Sequence, residues 1–101
     1  MNKYFDSDNV IKNEKGGAQS HTLCRFDIIP PVALFETAKV LKEGAEKYGV
    51  DNWRYIEIND HLNHAIQHIY GYLSGDRTEE HLSHAVCRLM FALELYSGTD
   101  T

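Results

Sequence analysis

Between Pro31 and Tyr96 the apolar residues recur at helical spacing in three separate stretches, and that pattern narrows the possible folds more than any other feature. In the first, Leu34, Ala38, Leu41, Ala45 and Tyr48 return every three or four residues, with Phe35 beside them. In the second the series is Leu62, Ala65, Ile66, Ile69 and Leu73, and in the third Leu82, Ala85, Val86, Leu89 and Leu93. The punctuation agrees. Pro31 suits a first helical turn, and Gly49 suits the end of that helix. Asn59 or Asp60 can cap the second helix. Gly75 stops it and Asp76-Arg77 turns the chain. The third helix is expected after Thr78, with Glu79 and Glu80 in a first turn where the helix dipole favours negative charge. Ser97-Gly98 ends it.

The turn between the second and third helices is short, which predicts an antiparallel hairpin. Three helices in a chain of 101 residues leave apolar surface that a single copy covers poorly. A dimer that packs two such hairpins together would cover it, so a homo-oligomer is expected. The expected fold is all-α: a three-helix domain over residues 23–101, preceded by an irregular polar arm over residues 1–22. Residues 23–29 (LCRFDII) read as a short extended piece closed by Pro30-Pro31, since a proline biases the residue before it away from helix.

Charge and cysteine usage bound the partners. The net charge is −5, whereas a protein that coats DNA or RNA needs clustered Lys and Arg. Polymeric nucleic acid is therefore not expected, but a small nucleotide held by a few local cations is compatible. Cys24 and Cys87 fit no zinc or redox spacing and read as free thiols in a reducing cytoplasm. The N-terminal residues show no basic-then-apolar leader pattern. The longest apolar run is too short for a bilayer, so no membrane association is expected.

Three constellations could carry chemistry. The first is a set of histidines. His61, His64 and His68 share one face of helix two, His81 and His84 one face of helix three, and Arg88 continues the second row. Such rows suit metal, phosphate or proton transfer. His64 and His68 have the spacing of a helical zinc pair, but Ala65 stands where the metalloprotease motif has Glu. Histidines at the margin of an apolar face are also ordinary rim residues. The rows repeat locally: Asp60-His61-Leu62-Asn63-His64-Ala65-Ile66 matches Glu80-His81-Leu82-Ser83-His84-Ala85-Val86 in residue type. That echo fits either a shared packing rule or a paired site.

The second constellation is the carboxylates: Glu36, Glu43 and Glu46 on helix one, and Glu79 and Glu80 on helix three, where capping of the helix start explains the last two. Glu43 and Glu46 are three apart and could share one Mg²⁺. They alternate with Lys39, Lys42 and Lys47, however, which describes a solvated, salt-bridged face, and a second inward carboxylate pair is missing. The third is Lys47-Tyr48-Gly49 followed by Asn52-Trp53-Arg54. Cations, a stacking ring and an amide in one connector are the groups that hold phosphate and base. Trp53 could equally plug the core.

Several segments in order then resemble a known family: Gly16-Gly17-Ala18-Gln19-Ser20, Arg25-Phe26-Asp27-Ile28-Ile29-Pro30, Gly44-Ala45-Glu46-Lys47-Tyr48-Gly49, Asn52-Trp53-Arg54, His68, and His81-Leu82-Ser83-His84-Ala85. Together they resemble the N-terminal domain of the phage and bacterial dATP/dGTP diphosphohydrolase family. The resemblance implies a helical domain, a purine deoxynucleotide ligand and a phage or prophage source. By position it nominates Arg25, Lys47, Asn52, Trp53, Arg54, His68 and His84, to which the histidine rows add His64 and Arg88.

The resulting expectation is a protein that binds a purine nucleotide, or a nucleotide-derived signal, without hydrolysing it and without a cofactor. In a phage such a binder could sequester a host immune signal. The alternative is a Mg²⁺-dependent diphosphohydrolase that cleaves dGTP or dATP to the monophosphate and pyrophosphate, with Glu43, Glu46 and Glu36 holding the metal.

Overall fold

The computed structural model of the chain describes residues 3–98. The chain divides into two compact units, Met1–Pro30 and Pro31–Thr101.

The first unit corrects the all-α expectation. Its polar segment is not irregular but forms two antiparallel strands, β1 (Phe5–Lys12) and β2 (Ala18–Thr22). The protein is therefore a mixed α/β chain. The five-residue connection explains the pairing. The Asn13 side-chain oxygen accepts the backbone N–H groups of Lys15 and Gly17 at 2.9 and 3.0 Å. Gly16 takes a φ of 84°, a region that a side chain disfavours. Pairing runs from Lys12 opposite Ala18 to Phe5 opposite Thr22, with an irregularity between Asp6 and Val10. That bulge takes Ser7, Asp8 and Asn9 out of register, which is why no period-two alternation is visible in the sequence. Residues 23–29 are not extended either, because Phe26–Ile28 forms a single 3₁₀ turn.

The second unit holds the three expected helices. Helix α1 spans Pro31–Tyr48, α2 spans Ile58–Leu73 and α3 spans His81–Gly98. The chain leaves α1 through Gly49 at a φ of 100°, then makes a 3₁₀ turn over Asn52–Tyr55. Helix α2 starts one residue before the expected Asn59 cap, and α3 starts at His81, after Glu79 and Glu80. Helices α2 and α3 form the expected antiparallel hairpin. His68 meets His81 beside the turn, and His61 meets Arg88 about two turns away.

The seam between these helices differs from the face that the apolar periodicity marks. Ala65 and Ala85 are buried there, with His61 fully enclosed. Ile66, Leu73, Leu82 and Leu93 are half or more exposed, at 51%, 69%, 52% and 65%. Helix α1 joins through Thr37 and Val40, both buried, and the Cys87 thiol reaches the Thr37 carbonyl at 3.5 Å. Burial pushes the Cys87 pKa up to about 11, only partly opposed by neighbouring Arg88, so this thiol is inert. Among the described residues, no helix is long and apolar enough to cross a membrane.

Candidate functional site

The α2–α3 hairpin gathers two polar clusters, one at each end. The first lies against the 3₁₀ turn. His61 is fully buried, and its two ring nitrogens meet the Trp53 carbonyl at 2.9 Å and an Arg88 nitrogen at 3.1 Å. A guanidinium can only donate, so His61 Nδ1 accepts from Arg88. Its proton therefore sits on Nε2 and is donated to the Trp53 carbonyl. This ties the connector to both helices. The Trp53 ring stacks on Phe91 at 4.7 Å with an interplanar angle of 8°, and the Arg54 guanidinium lies over it at 4.4 Å. Beside this stack is a groove of about 320 Å³ lined by Leu41, Trp53, Arg54, Met90, Phe91 and Glu94. That volume falls at the small end of ligand-binding clefts.

The second cluster lies beside the α2–α3 turn. The Nδ1 atoms of His68 and His81 are 3.0 Å apart, and the Glu79 carboxylate lies 3.5 Å from the first and 3.9 Å from the second. His84 stacks on His68 at 4.9 Å. The other nitrogen of His81 donates to Asp76, whose two oxygens each accept the Thr78 hydroxyl at 2.9 Å. These bonds hold the Asp76 carboxyl below the usual carboxylate range, the His81 bond contributing most. The His68 pKa is lowered, first by burial and then by the neighbouring His84, while Glu79 pulls the other way. Among the described residues, His68, Glu79 and His81 form the one set of three potential metal ligands whose atoms converge.

The structure sorts the expected site residues. Trp53 and Arg54 line the groove, and Arg54 is also paired with Asp51 at 3.2 Å. Asn52 opens the 3₁₀ turn and is exposed. The Lys47 ammonium lies over the Tyr48 ring at 5.1 Å. His68 and His84 come together, whereas His64 faces solvent and Arg88 is committed to His61. The connector and the imidazoles do not share one pocket within a chain: His84 and Phe91 are separated by about 10 Å along α3. Arg25 belongs to the first unit. Its guanidinium makes two bonds to Asp27, at 2.9 and 2.8 Å, which raise its pKa and lower that of Asp27.

The α1 carboxylates stay on a lysine-rich face, with Glu36 3.3 Å from Lys39, Glu46 3.9 Å from Lys42, and Glu43 exposed. They belong to neither cluster, so the donor set that a magnesium ion would need does not assemble from them within one chain. Glu94 and Phe91 in the groove, and Asp76 beside the turn, were not singled out in the sequence, whereas His81 stood in the histidine row and Glu79 read as a first-turn charge. The echo places His81 where His61 stands, but it carries no signal for Glu79 or Asp76, whose counterparts are Asn59 and Ile56.

A small α/β chain whose helical unit carries polar chemistry at both ends of a hairpin is the class these features define. A family model described as dATP/dGTP diphosphohydrolase, N-terminal, matches residues 13–100, and the chain belongs to that family. No curated protein and no solved structure gives a significant match.

Proposed function

We propose that the domain binds a purine nucleotide in the groove between the 3₁₀ turn and α3 and releases it unchanged. The observation that carries this reading is the groove lining. Arg54 offers a fork for phosphate oxygens, the Trp53–Phe91 stack an aromatic edge for the base, and Glu94 an acceptor for the amino groups of a purine. Membership of a family named for dATP and dGTP supports the purine class. Lys47 and Asn52, exposed at either side of Gly49, are the further groups available to phosphate and base.

Calorimetry should show micromolar binding of dGTP or dATP and weaker binding of dCTP. Cyclic dinucleotides belong in the same titration as examples of nucleotide-derived signals. Arg54→Ala should weaken binding about tenfold, the size of one lost charge-assisted contact. No heat with any of these nucleotides would sink the reading.

The family description favours a second reading, hydrolysis to the monophosphate and pyrophosphate. Its donors would be Glu43, Glu46 and Glu36 with Mg²⁺. The pairing of Glu36 and Glu46 with lysines, and the exposure of Glu43, argue against it within a single chain. Release of dGMP from dGTP with Mg²⁺, abolished by Glu43→Ala, would reverse the order of the two readings.

We also propose that the chain works as a homo-oligomer in the cytoplasm. The exposed stripes of α2 and α3, Leu62 to Leu73 and Leu82 to Leu93, support self-association because water-facing apolar rows of this kind mark interfaces. Light scattering should give a mass above that of one chain, and Ile66→Asp should reduce it.

A further inference from the structure

We propose that the turn end of the α2–α3 hairpin is a zinc site, with His68 Nδ1, His81 Nδ1 and Glu79 as its three protein ligands. The triangle they form has edges of 3.0, 3.5 and 3.9 Å. Zinc bonded at about 2.0–2.1 Å to nitrogen and oxygen holds tetrahedral ligand atoms about 3.3 Å apart, inside that range. Two imidazoles and a carboxylate suit zinc, whereas magnesium takes an oxygen shell. Three protein ligands leave the fourth position to water or to a ligand oxygen. Solvent reaches it past the Glu79 side chain, which is half exposed while those of His68 and His81 are 13% and 10% exposed.

The surrounding groups prepare His81 for this role. Its Nε2–H donates to Asp76, which leaves Nδ1 in the neutral ring as a lone pair directed toward His68 and Glu79. Asp76 is itself fixed, by the Thr78 hydroxyl and by its own backbone N–H bonded to the Gly71 carbonyl at 3.2 Å. A carboxylate behind a ligating imidazole is the usual outer support of a metal-bound histidine.

Gly71 is an independent observation. A Cβ at this position would lie 2.6, 2.7 and 2.9 Å from three atoms of the His81 ring. Glycine is a poor residue for the interior of a helix, yet here it makes the notch in α2 that the His81 ring occupies. The ring is thus placed by backbone shape as well as by its hydrogen bond. Two imidazole nitrogens 3.0 Å apart must otherwise share one proton between them. A cation lets both lone pairs point the same way.

The test uses the tag-free full chain, stripped with a chelator and titrated with Zn²⁺ at neutral pH. One ion per chain with micromolar or tighter affinity is expected, together with the visible bands of tetrahedral coordination when Co²⁺ replaces Zn²⁺. His68→Gln and His81→Gln should each weaken binding about 100-fold, and Asp76→Asn about 10-fold, the range for outer-shell losses. His64→Gln should leave it unchanged. Glu79→Gln covers the case in which a histidine variant misfolds, because its side chain is half exposed and its fold can be checked by circular dichroism. Absence of stoichiometric zinc in the wild-type chain would overturn the assignment. So would an affinity that the folded Glu79→Gln variant leaves untouched.

Discussion

The two ends of the α2–α3 hairpin are built on the same pair of positions and use them in opposite ways. His61 meets Arg88; His81, twenty residues further on, meets His68, twenty residues before Arg88. Phe91 packs on the His61 ring at 5.3 Å, and its counterpart at the other end is Gly71, against the His81 ring. The repeated sequence around the two histidines is this local symmetry of the seam. At the first end every hydrogen-bonding group of His61 is used, one by a donor and one by an acceptor. At the second, His68 stands where the first end has arginine, so two lone-pair donors face each other with a carboxylate beside them. The counterparts of Glu79 and Asp76 at the first end are Asn59 and Ile56, which supply no such charge. One end is a lock; the other keeps coordinating capacity.

The sharpest way to break this comparison is to remove each histidine in turn. His61→Ala should destabilise the chain by about 3 kcal/mol, because it empties a buried site and leaves a guanidinium and a carbonyl without their partner. His81→Ala in metal-free protein should lose less, about 2 kcal/mol, because it empties a nearly buried site and breaks the bonds to Asp76 and His68. The Asp76 carboxylate left behind is partly exposed and can turn to water. Urea titrations of the two variants measure the difference, and equal losses would erase the proposed asymmetry.

Next in size are the glycines. Gly71→Ala must displace the His81 ring and should lower stability by about 1–2 kcal/mol, the range for overpacking. Gly44→Ala on α1 meets nothing within 4 Å and should raise stability by about 0.5–1 kcal/mol through helix propensity. Thermal melts of the pair show whether the notch at Gly71 is specific. The smallest stability effect is expected from Glu43→Ala, within about 0.5 kcal/mol, as for an exposed side chain. Finally, Arg88→His alone should create no zinc affinity at the first end, since Phe91 fills the notch position and Asn59 replaces the carboxylate. Measurable Zn²⁺ binding there would mean that the histidine pair alone is sufficient.

Much of the helical unit was legible in the sequence. Pro31, Gly49 and Gly75 marked boundaries that backbone geometry requires, and α1 ends within a residue of the expected place. The period of Leu62, Ile66, Ile69 and Leu73 correctly announced a helix but pointed away from the hairpin seam. Apolar periodicity reports the widest greasy face, whereas this seam is formed by alanines, a glycine and imidazoles. The strands were hidden because the bulge at residues 7–9 breaks their alternation. In the candidate site, Trp53 and Arg54 could be read from their types, and His68 from its row. Glu79 looked like a first-turn charge and Asp76 like a turn residue, because only tertiary structure brings them to His68 and His81.

The composition of the core has a thermal consequence. Among the described residues, the buried apolar ones are Val40, Ala65, Ala85, Cys87 and Ala92, mostly small. The heat capacity of unfolding follows the apolar area released. A single copy therefore has a shallow stability curve, with a broad melting transition and little cold sensitivity. If the α2 and α3 stripes pair between copies, that curve steepens with protein concentration, and the melting temperature rises with it.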